Sequence, residues 1–152
     1  MIGRLRQVAE GLGLPFGERR RTYNSRLAQE LGLWAEAEGR GDAFHHAAFK
    51  AYFAEGKNLA EPSVLMELAQ AAGLSRDGAG KVIRERTFSA AVDRDWAASR
   101  RMGITAVPTF VMGERRLVGA QPYEKLAELV EGRPSGAPEP LFVQPPKDSE
   151  DD

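Results

Sequence analysis

The sequence predicts an α+β fold that is mostly helical, with a single β-hairpin towards its C-terminal end. Apolar residues recur at helical spacing through successive segments between residues 2 and 101. The pattern changes at Thr105–Met112, which is apolar and rich in β-branched residues, as strands are. The chain has 152 residues, of which 42% are hydrophobic, and this supports one domain with a packed core.

The charge balance argues against several classes of protein. The chain has 21 Lys and Arg against 22 Asp and Glu, so it lacks the basic character of a nucleic-acid-binding protein. No apolar run approaches the ~20 residues of a membrane span. No apolar signal segment follows the basic residues 1–6. We therefore expect a cytoplasmic location, with neither a nucleic acid nor a membrane as partner.

Glycines and capping residues set the limits of the first helices. Ile2–Leu12 has helical spacing, and Gly11 and Gly13 end it. Asn24 is predicted to cap the second helix, because its side-chain oxygen can accept from a free amide one turn into the helix. Asp42 is predicted to cap the third helix, and Gly56 to end it.

The third helix carries the densest aromatic cluster of the chain. Its apolar face consists of Phe44, Ala48, Phe49, Tyr52 and Phe53. A stripe at helical spacing favours a buried core position, so we expect these side chains to pack inside the protein. A ligand pocket lined by the same aromatic residues is the alternative.

The later helices have clearer start signals. Pro62 suits the first turn of a helix, where its missing N–H would be unpaired in any case. Ser75 is predicted to cap a short helix that runs through Ile83. Thr87 or Phe88 begins the next helix, which ends near residue 103.

A hairpin and one more helix follow. Thr105–Met112 is the first predicted strand, Gly113–Arg115 the turn and Arg116–Gly119 the second strand. Gln121–Tyr123 opens the last helix, which stops before residue 132. Residues 133–152 are rich in proline and end in acidic residues, so we predict a flexible acidic tail.

No motif supports a metal or a nucleotide cofactor, and we expect neither. His45 and His46 are adjacent, so on a helix they point about 100° apart and form a poor chelating pair. Arg19–Arg21 is more typical of a solvated connector than of a phosphate site. Gly11–Gly13 and Gly78–Gly80 are too short for a dinucleotide-binding motif.

The chain contains no cysteine. This excludes disulfides, thiolate metal sites, cysteine nucleophiles and dithiol redox chemistry carried by this chain alone. We therefore assign no catalytic residue.

Residues 103–110, Gly-Ile-Thr-Ala-Val-Pro-Thr-Phe, resemble the cis-proline loop of the thioredoxin superfamily. A glycine turn follows, and then residues 117–122, Leu-Val-Gly-Ala-Gln-Pro, which resemble the hairpin of that superfamily. The resemblance implies a cis peptide bond between Val107 and Pro108. It also implies that the backbone before the proline pairs with an extended substrate, so the candidate substrate-binding residues are Val107, Pro108 and Thr109.

The whole chain, from about residue 2 to 131, resembles the DsbA family. It is most similar to the FrnE-like thiol–disulfide oxidoreductases, relatives of 2-hydroxychromene-2-carboxylate isomerases and kappa-class glutathione transferases. Thr22–Ala28, Phe49–Phe53 and Gly56–Leu59 look like the helical insertion of that family. The implied fold is an incomplete thioredoxin-like fold, a C-terminal β-hairpin plus helix, with the family's inserted helical domain.

The resemblance also implies a domain organisation. Residues 1–132 form a truncated DsbA-like domain, with the helical insertion at about 22–102 and the cis-proline hairpin and last helix at 103–132. Three family elements are missing from the expected order: the first strand, the helix that carries Cys-x-x-Cys, and the second strand. The strand after Pro108 normally pairs with that first strand, so its edge is expected to be open to a second copy or a complementing chain.

The function implied is the C-terminal portion of a FrnE-type protein thiol–disulfide oxidoreductase that is not redox-active by itself. One alternative is a cysteine-free module that binds a peptide or a small thiol compound at the cis-proline loop. The other is a helical structural or regulatory protein that oligomerises through the hairpin edge.

Overall fold

A computed structural model describes residues 2–18 and 22–132 of the chain. The predicted connector at Arg19–Arg21 and the predicted tail at residues 133–152 lie outside the described residues. The described part contains seven α-helices and one two-stranded antiparallel sheet, which confirms the mostly helical α+β class.

The elements follow one another in a simple order. The helices are α1 (Ile2–Gly11), α2 (Arg26–Ala37), α3 (Gly41–Phe49), α4 (Pro62–Ala71), α5 (Arg76–Glu85), α6 (Ser89–Arg101) and α7 (Tyr123–Glu131). A π-helical turn, Lys50–Ala54, continues α3. The strands β1 (Thr109–Met112) and β2 (Arg115–Val118) lie between α6 and α7. The chain divides after Trp96 into two compact units.

The core of the first unit lies between α2, α3, α4 and α5. Its largest fully buried apolar side chains are Leu31, Phe44 and Leu65, one from each of the first three of these helices. Buried alanines such as Ala35, Ala69 and Ala79 let the helices approach closely around them. Burying each large side chain contributes about 1.5–3 kcal/mol to folding, so this cluster anchors the unit.

The helix starts correct two predicted caps. The N-cap of α2 is Ser25, whereas Asn24 Oδ1 accepts from the Arg26 N–H at 2.8 Å. Asn24 therefore closes a local side-chain turn just before the helix, because its amide reaches the backbone two residues on. α3 begins at Gly41, so Asp42 lies within its first turn, where the helix dipole favours a carboxylate.

Two other start signals are confirmed. Pro62 lies in the first turn of α4. Ser75 caps α5, and its Oγ accepts from the Gly78 N–H at 3.2 Å. α6 begins at Ser89, after a turn that covers the predicted start at Thr87 or Phe88.

In the second unit, β1 pairs with β2 so that Met112 lies opposite Arg115 across a two-residue turn. Gly113 has φ +61°, a conformation that the first residue of such a turn requires and glycine adopts readily. The tight turn moves β2 one residue earlier than predicted. β1 is shorter than predicted, because Thr109 Oγ1 donates to the Ala106 carbonyl at 2.6 Å and closes a turn before the strand.

Arg116 fastens this hairpin to the end of α6. Its guanidinium donates to the carbonyl of Gly103 at 3.0 Å and to that of Met102. These carbonyls have no partner within the helix, so the arginine satisfies acceptors that would otherwise need water. Among the described helices, none has both the length and the apolar character needed to span a bilayer.

Candidate functional site

The loop before β1 holds the three predicted substrate-binding residues together. Val107 is 90% exposed, which is extreme for a large apolar side chain, and Pro108 is exposed beside it. Thr109 is half-buried. The Val107–Pro108 peptide bond is cis.

Hydrogen bonds hold this loop from both sides. The Pro108 carbonyl accepts from the Gly119 N–H at 2.8 Å, which ties the loop to the residue after β2. The bond from Thr109 Oγ1 to the Ala106 carbonyl fixes the other side. The backbone of the loop is therefore well placed to present an exposed apolar residue to a partner.

The outer edge of β1, made of the backbone N–H and C=O groups of Thr109 and Val111, faces away from β2. In an antiparallel pair, every second residue of a strand exchanges backbone hydrogen bonds with its partner strand. Pro108 bonds Gly119, so the N–H and C=O groups of Phe110 and Met112 also point towards β2. In the part of the chain that is described, the sheet has two strands, so no third strand covers this edge there. An exposed edge of this kind accepts an extended chain by main-chain hydrogen bonding.

Comparison with known proteins identifies the family. The model of the DSBA-like thioredoxin domain matches residues 1–131. The chain belongs to this family. The resemblance found in the sequence is confirmed, and the architecture is a DsbA-like thioredoxin fold with a helical insert.

Two similar proteins show how much of a relative's length this chain covers. It is 31% identical over 96 residues to the uncharacterized protein YwbO of Bacillus subtilis (strain 168), or 62% of this chain and 48% of YwbO. The crystal structure of the "probable DsbA oxidoreductase" SCO1869 from Streptomyces coelicolor matches with a TM-score of 0.77 and 25% identity. That match covers 91% of this chain and 62% of SCO1869, so the chain spans about half to two thirds of these proteins.

A second candidate site is a pocket of about 350 Å³ in the first unit of this DSBA-like chain. Its ring-bearing walls are Tyr23, Phe44, His45, Phe49, Tyr52 and Phe53. The other lining residues are Thr22, Ser25, Ala28, Gln29, Ala48 and Leu59. The pocket therefore has mostly apolar walls with a few polar groups, which is the usual composition of a small-molecule site.

The prediction that the aromatic face is core is correct for only part of that face, in which Ala48 and Tyr52 pack against the core. Phe44 is fully buried, but Phe49 is 63% exposed and Phe53 is also exposed. Helix geometry explains the difference for Phe49, because it follows Phe44 by five residues, about 140° around an α-helix, and so lies off the buried face. Phe53 comes four residues after Phe49, within the π-helical turn, and is exposed beside it. Phe49 and Phe53 stack on each other with ring centroids 6.3 Å apart.

Three polar side chains, two of which line the pocket, form a directed series of hydrogen bonds. Trp96 Nε1 donates to Gln29 Oε1 at 2.7 Å, and Gln29 Nε2 donates to Ser25 Oγ at 2.9 Å. Ser25 and Gln29 are one helical turn apart, so their spacing is compatible with a contact. Trp96 lies far from both in the sequence, and only the fold brings it to Gln29.

Glu30, the residue after Gln29, has a buried carboxylate. Glu30 is 1% exposed and accepts from Arg86 Nε at 2.9 Å, Arg86 Nη2 at 2.6 Å and Arg26 Nε at 3.0 Å. Hydrogen bonding to Arg86, and then to Arg26, lowers the pKa of Glu30 despite the opposing effect of burial. Arg26 also bonds Asp93 at 2.8 Å, so the carboxylate orders α2, the end of α5 and α6 within one unit.

The two histidines belong to no candidate metal site among the described residues. His45 Nε2 lies 3.1 Å from Glu36 Oε1, and His46 is exposed. Across residues 2–18 and 22–132, no group of three or more histidine, aspartate or glutamate side chains is arranged to hold a metal ion. Within the described residues, the candidate binding sites are therefore the loop edge and the pocket.

Proposed function

We propose that the chain forms the C-terminal portion of a FrnE-type protein thiol–disulfide oxidoreductase whose reactive dithiol lies outside these 152 residues. The family match over residues 1–131 and the likeness to SCO1869 support the oxidoreductase class. The segments that resemble the FrnE-like helical insertion support the subclass. Because the chain has no cysteine, it would by itself neither form nor reduce a disulfide.

The contribution of this chain to the reaction is to hold the substrate. The outer edge of β1 would pair with an extended peptide through the peptide groups of Thr109 and Val111, and Val107 would contact the peptide beside them. Main-chain pairing makes little demand on sequence, which suits an enzyme that acts on many unfolded proteins. The exposed, apolar loop next to an open strand edge is the observation that carries this proposal.

The proposal also places the protein in the cytoplasm. This location is what the resemblance to the FrnE-like oxidoreductases implies.

The binding role is tested by titrating the 152-residue chain with S-carboxymethylated insulin B chain, an unfolded peptide without free thiols. We expect saturable shifts of the backbone amide signals of Thr109 and Val111 in NMR spectra. Val111→Pro removes an N–H from the outer edge without removing a bond to β2, so it is expected to weaken binding at least fivefold. Val111→Thr keeps that N–H and serves as the matched control.

Two results would contradict the binding role: shifts that avoid β1, or equal affinity of the Val111→Pro variant and the original chain. A separate assay addresses the chemistry. The isolated chain is expected to show no thiol-dependent insulin reduction above the blank, and activity above the blank would show that the assignment of the dithiol elsewhere is wrong.

A second function has support from the same loop. A cysteine-free module that binds peptides or small thiol compounds without catalysis would use the same exposed Val107 and the same strand edge. It differs in one observable property: the purified native protein would contain no cysteine, so alkylation with iodoacetamide would leave its mass unchanged.

A further inference from the structure

The pocket in the first unit keeps aromatic surface exposed in one place rather than scattered. Phe49 and Phe53 stack at its mouth, and Tyr52 meets Phe53 edge-to-face with centroids 4.9 Å apart. Contiguous exposed apolar surface beside a concavity marks an interaction site more often than single exposed residues do. The volume of about 350 Å³ lies at the lower end of the ~300–1,000 Å³ of ligand pockets, so the occupant would be small.

The direction of the hydrogen bonds from Trp96 to Gln29 and from Gln29 to Ser25 decides which group Ser25 can offer a ligand. The Trp96 indole can only donate, so it requires the oxygen of the Gln29 amide and turns the amide nitrogen towards Ser25. Ser25 Oγ then accepts from that nitrogen. Accepting from Gln29 does not use the O–H proton of Ser25, and because this side chain is exposed, the proton can be donated to a ligand.

The polar groups of the lining set a further requirement for the ligand. The described lining carries hydroxyl, amide and imidazole groups among its aromatic and aliphatic side chains. A hydrogen-bond acceptor on the ligand would be matched by the hydroxyl of Ser25.

We propose that this pocket binds a small aromatic molecule bearing a carbonyl group. The carbonyl oxygen accepts from the Ser25 hydroxyl, and the ring system packs against Phe49 and Phe53. Gln29 and Trp96 are positioning residues, because they fix the direction of the Ser25 proton without touching the ligand oxygen. This site is independent of the strand edge and does not rest on the function proposed for it.

The test uses a matched pair of probes that differ in the acceptor. 2-Acetonaphthone carries the carbonyl, and 2-ethylnaphthalene has nearly the same shape without it. In NMR titrations of the 152-residue chain, we expect both to shift signals of the pocket, with tighter binding of the ketone. One hydrogen bond contributes about 0.5–1.5 kcal/mol, so the ketone should bind about two- to twelvefold more tightly.

Three variants separate the donor from the apolar walls. Ser25→Ala is expected to remove the preference for the ketone and leave the affinity for 2-ethylnaphthalene unchanged, whereas Ser25→Thr keeps the hydroxyl and the preference. Ala48→Phe fills the pocket and should abolish binding of both probes. Ser63→Ala, on an exposed part of α4, is the matched control and should change neither affinity.

The proposal is overturned if neither probe binds saturably, if the shifts lie outside the pocket, or if Ser25→Ala weakens both probes equally. Trp96→Phe adds an independent readout. It removes the indole N–H and frees the Gln29 amide to turn, so it should reduce the preference for the ketone without affecting 2-ethylnaphthalene. If Trp96→Phe keeps the preference for the ketone, the hydrogen bonds through Trp96 and Gln29 do not orient the hydroxyl of Ser25.

Discussion

Replacing Glu30 by glutamine tests the buried charge cluster that joins three helices of the first unit. The substitution preserves size but removes the negative charge that two guanidinium groups share. With its oxygen at the Oε1 position, glutamine can still accept two of the three hydrogen bonds, but its NH2 group would point at Arg86 Nε. Arg26 would keep its ion pair with Asp93, but the two cations would lose the buried negative charge between them.

The magnitude follows from burial. Breaking a fully buried ion pair by removing one partner costs about 3–5 kcal/mol. Here the carboxylate is fully buried, but the Arg26 and Arg86 side chains are 17% and 47% exposed, so water can partly solvate the arginines left behind. We therefore expect Glu30→Gln to lower the free energy of unfolding at pH 7 by about 2–3 kcal/mol.

Urea denaturation followed by circular dichroism measures this change. Glu85→Gln, an exposed position on α5, is the matched control and should stay within about 0.5 kcal/mol of the original chain. A Glu30→Gln variant as stable as the control would refute the argument that the carboxylate holds the helices together.

The same position predicts a dependence on pH. The pKa of Glu30 is lower in the folded chain than its ordinary value of 4.5, so its ionisation stabilises the fold above that value. This stabilisation is lost as the pH falls through the folded pKa, where the carboxylate becomes protonated in both states. The difference in stability between the original chain and Glu30→Gln should therefore shrink at acidic pH, and a constant difference from pH 7 to pH 3 would contradict this.

Two further predictions concern the backbone. Gly56→Ala should destabilise the chain by at least about 1–2 kcal/mol, because φ is +67° and the new Cβ would lie 2.5 Å from a carbonyl oxygen. Gly11→Ala meets no atom within 4 Å and should be neutral or stabilising by up to about 1 kcal/mol in the same urea assay. Arg116→Ala removes the bonds to the end of α6 and should speed amide hydrogen exchange in β1 and β2 by about tenfold, whereas Arg101→Ala should not. Unchanged exchange in Arg116→Ala would show that the hairpin does not depend on this arginine.

The sequence contained enough information for most helices but not for their exact ends. Helical spacing and single strong signals, such as Pro62 and the Ser75 cap, located α4 and α5 correctly. Asn24 was the wrong cap because Ser25, next to it, is an equally good capping type, and the choice between neighbours depends on where the backbone turns. Such a choice is decided by packing rather than by local preference.

The pocket and the charge cluster needed the structure. The predicted apolar face grouped Phe49 with Phe44, although five residues correspond to about 140° around an α-helix, and the structure places Phe49 off the buried face. Arg26 and Glu30 show the i,i+4 spacing of a helical ion pair, which was a usable signal. Arg86 lies 56 residues away along the chain from Glu30, and only the fold brings it there.

The candidate peptide site was located by resemblance rather than by periodicity. The sequence around Val107–Pro108 identified the loop, and the structure places its three residues side by side next to an open strand edge. Its role in binding stays a prediction until a peptide has been shown to occupy it.

The most direct test of the proposed function is the intact mass of the native polypeptide that carries this sequence, before and after alkylation of the denatured, reduced protein. We predict a mass well above 16.6 kDa and a mass increase on alkylation that corresponds to at least two cysteines. A mass of 16.6 kDa with no increase on alkylation would contradict the proposal, and would favour a cysteine-free binding module.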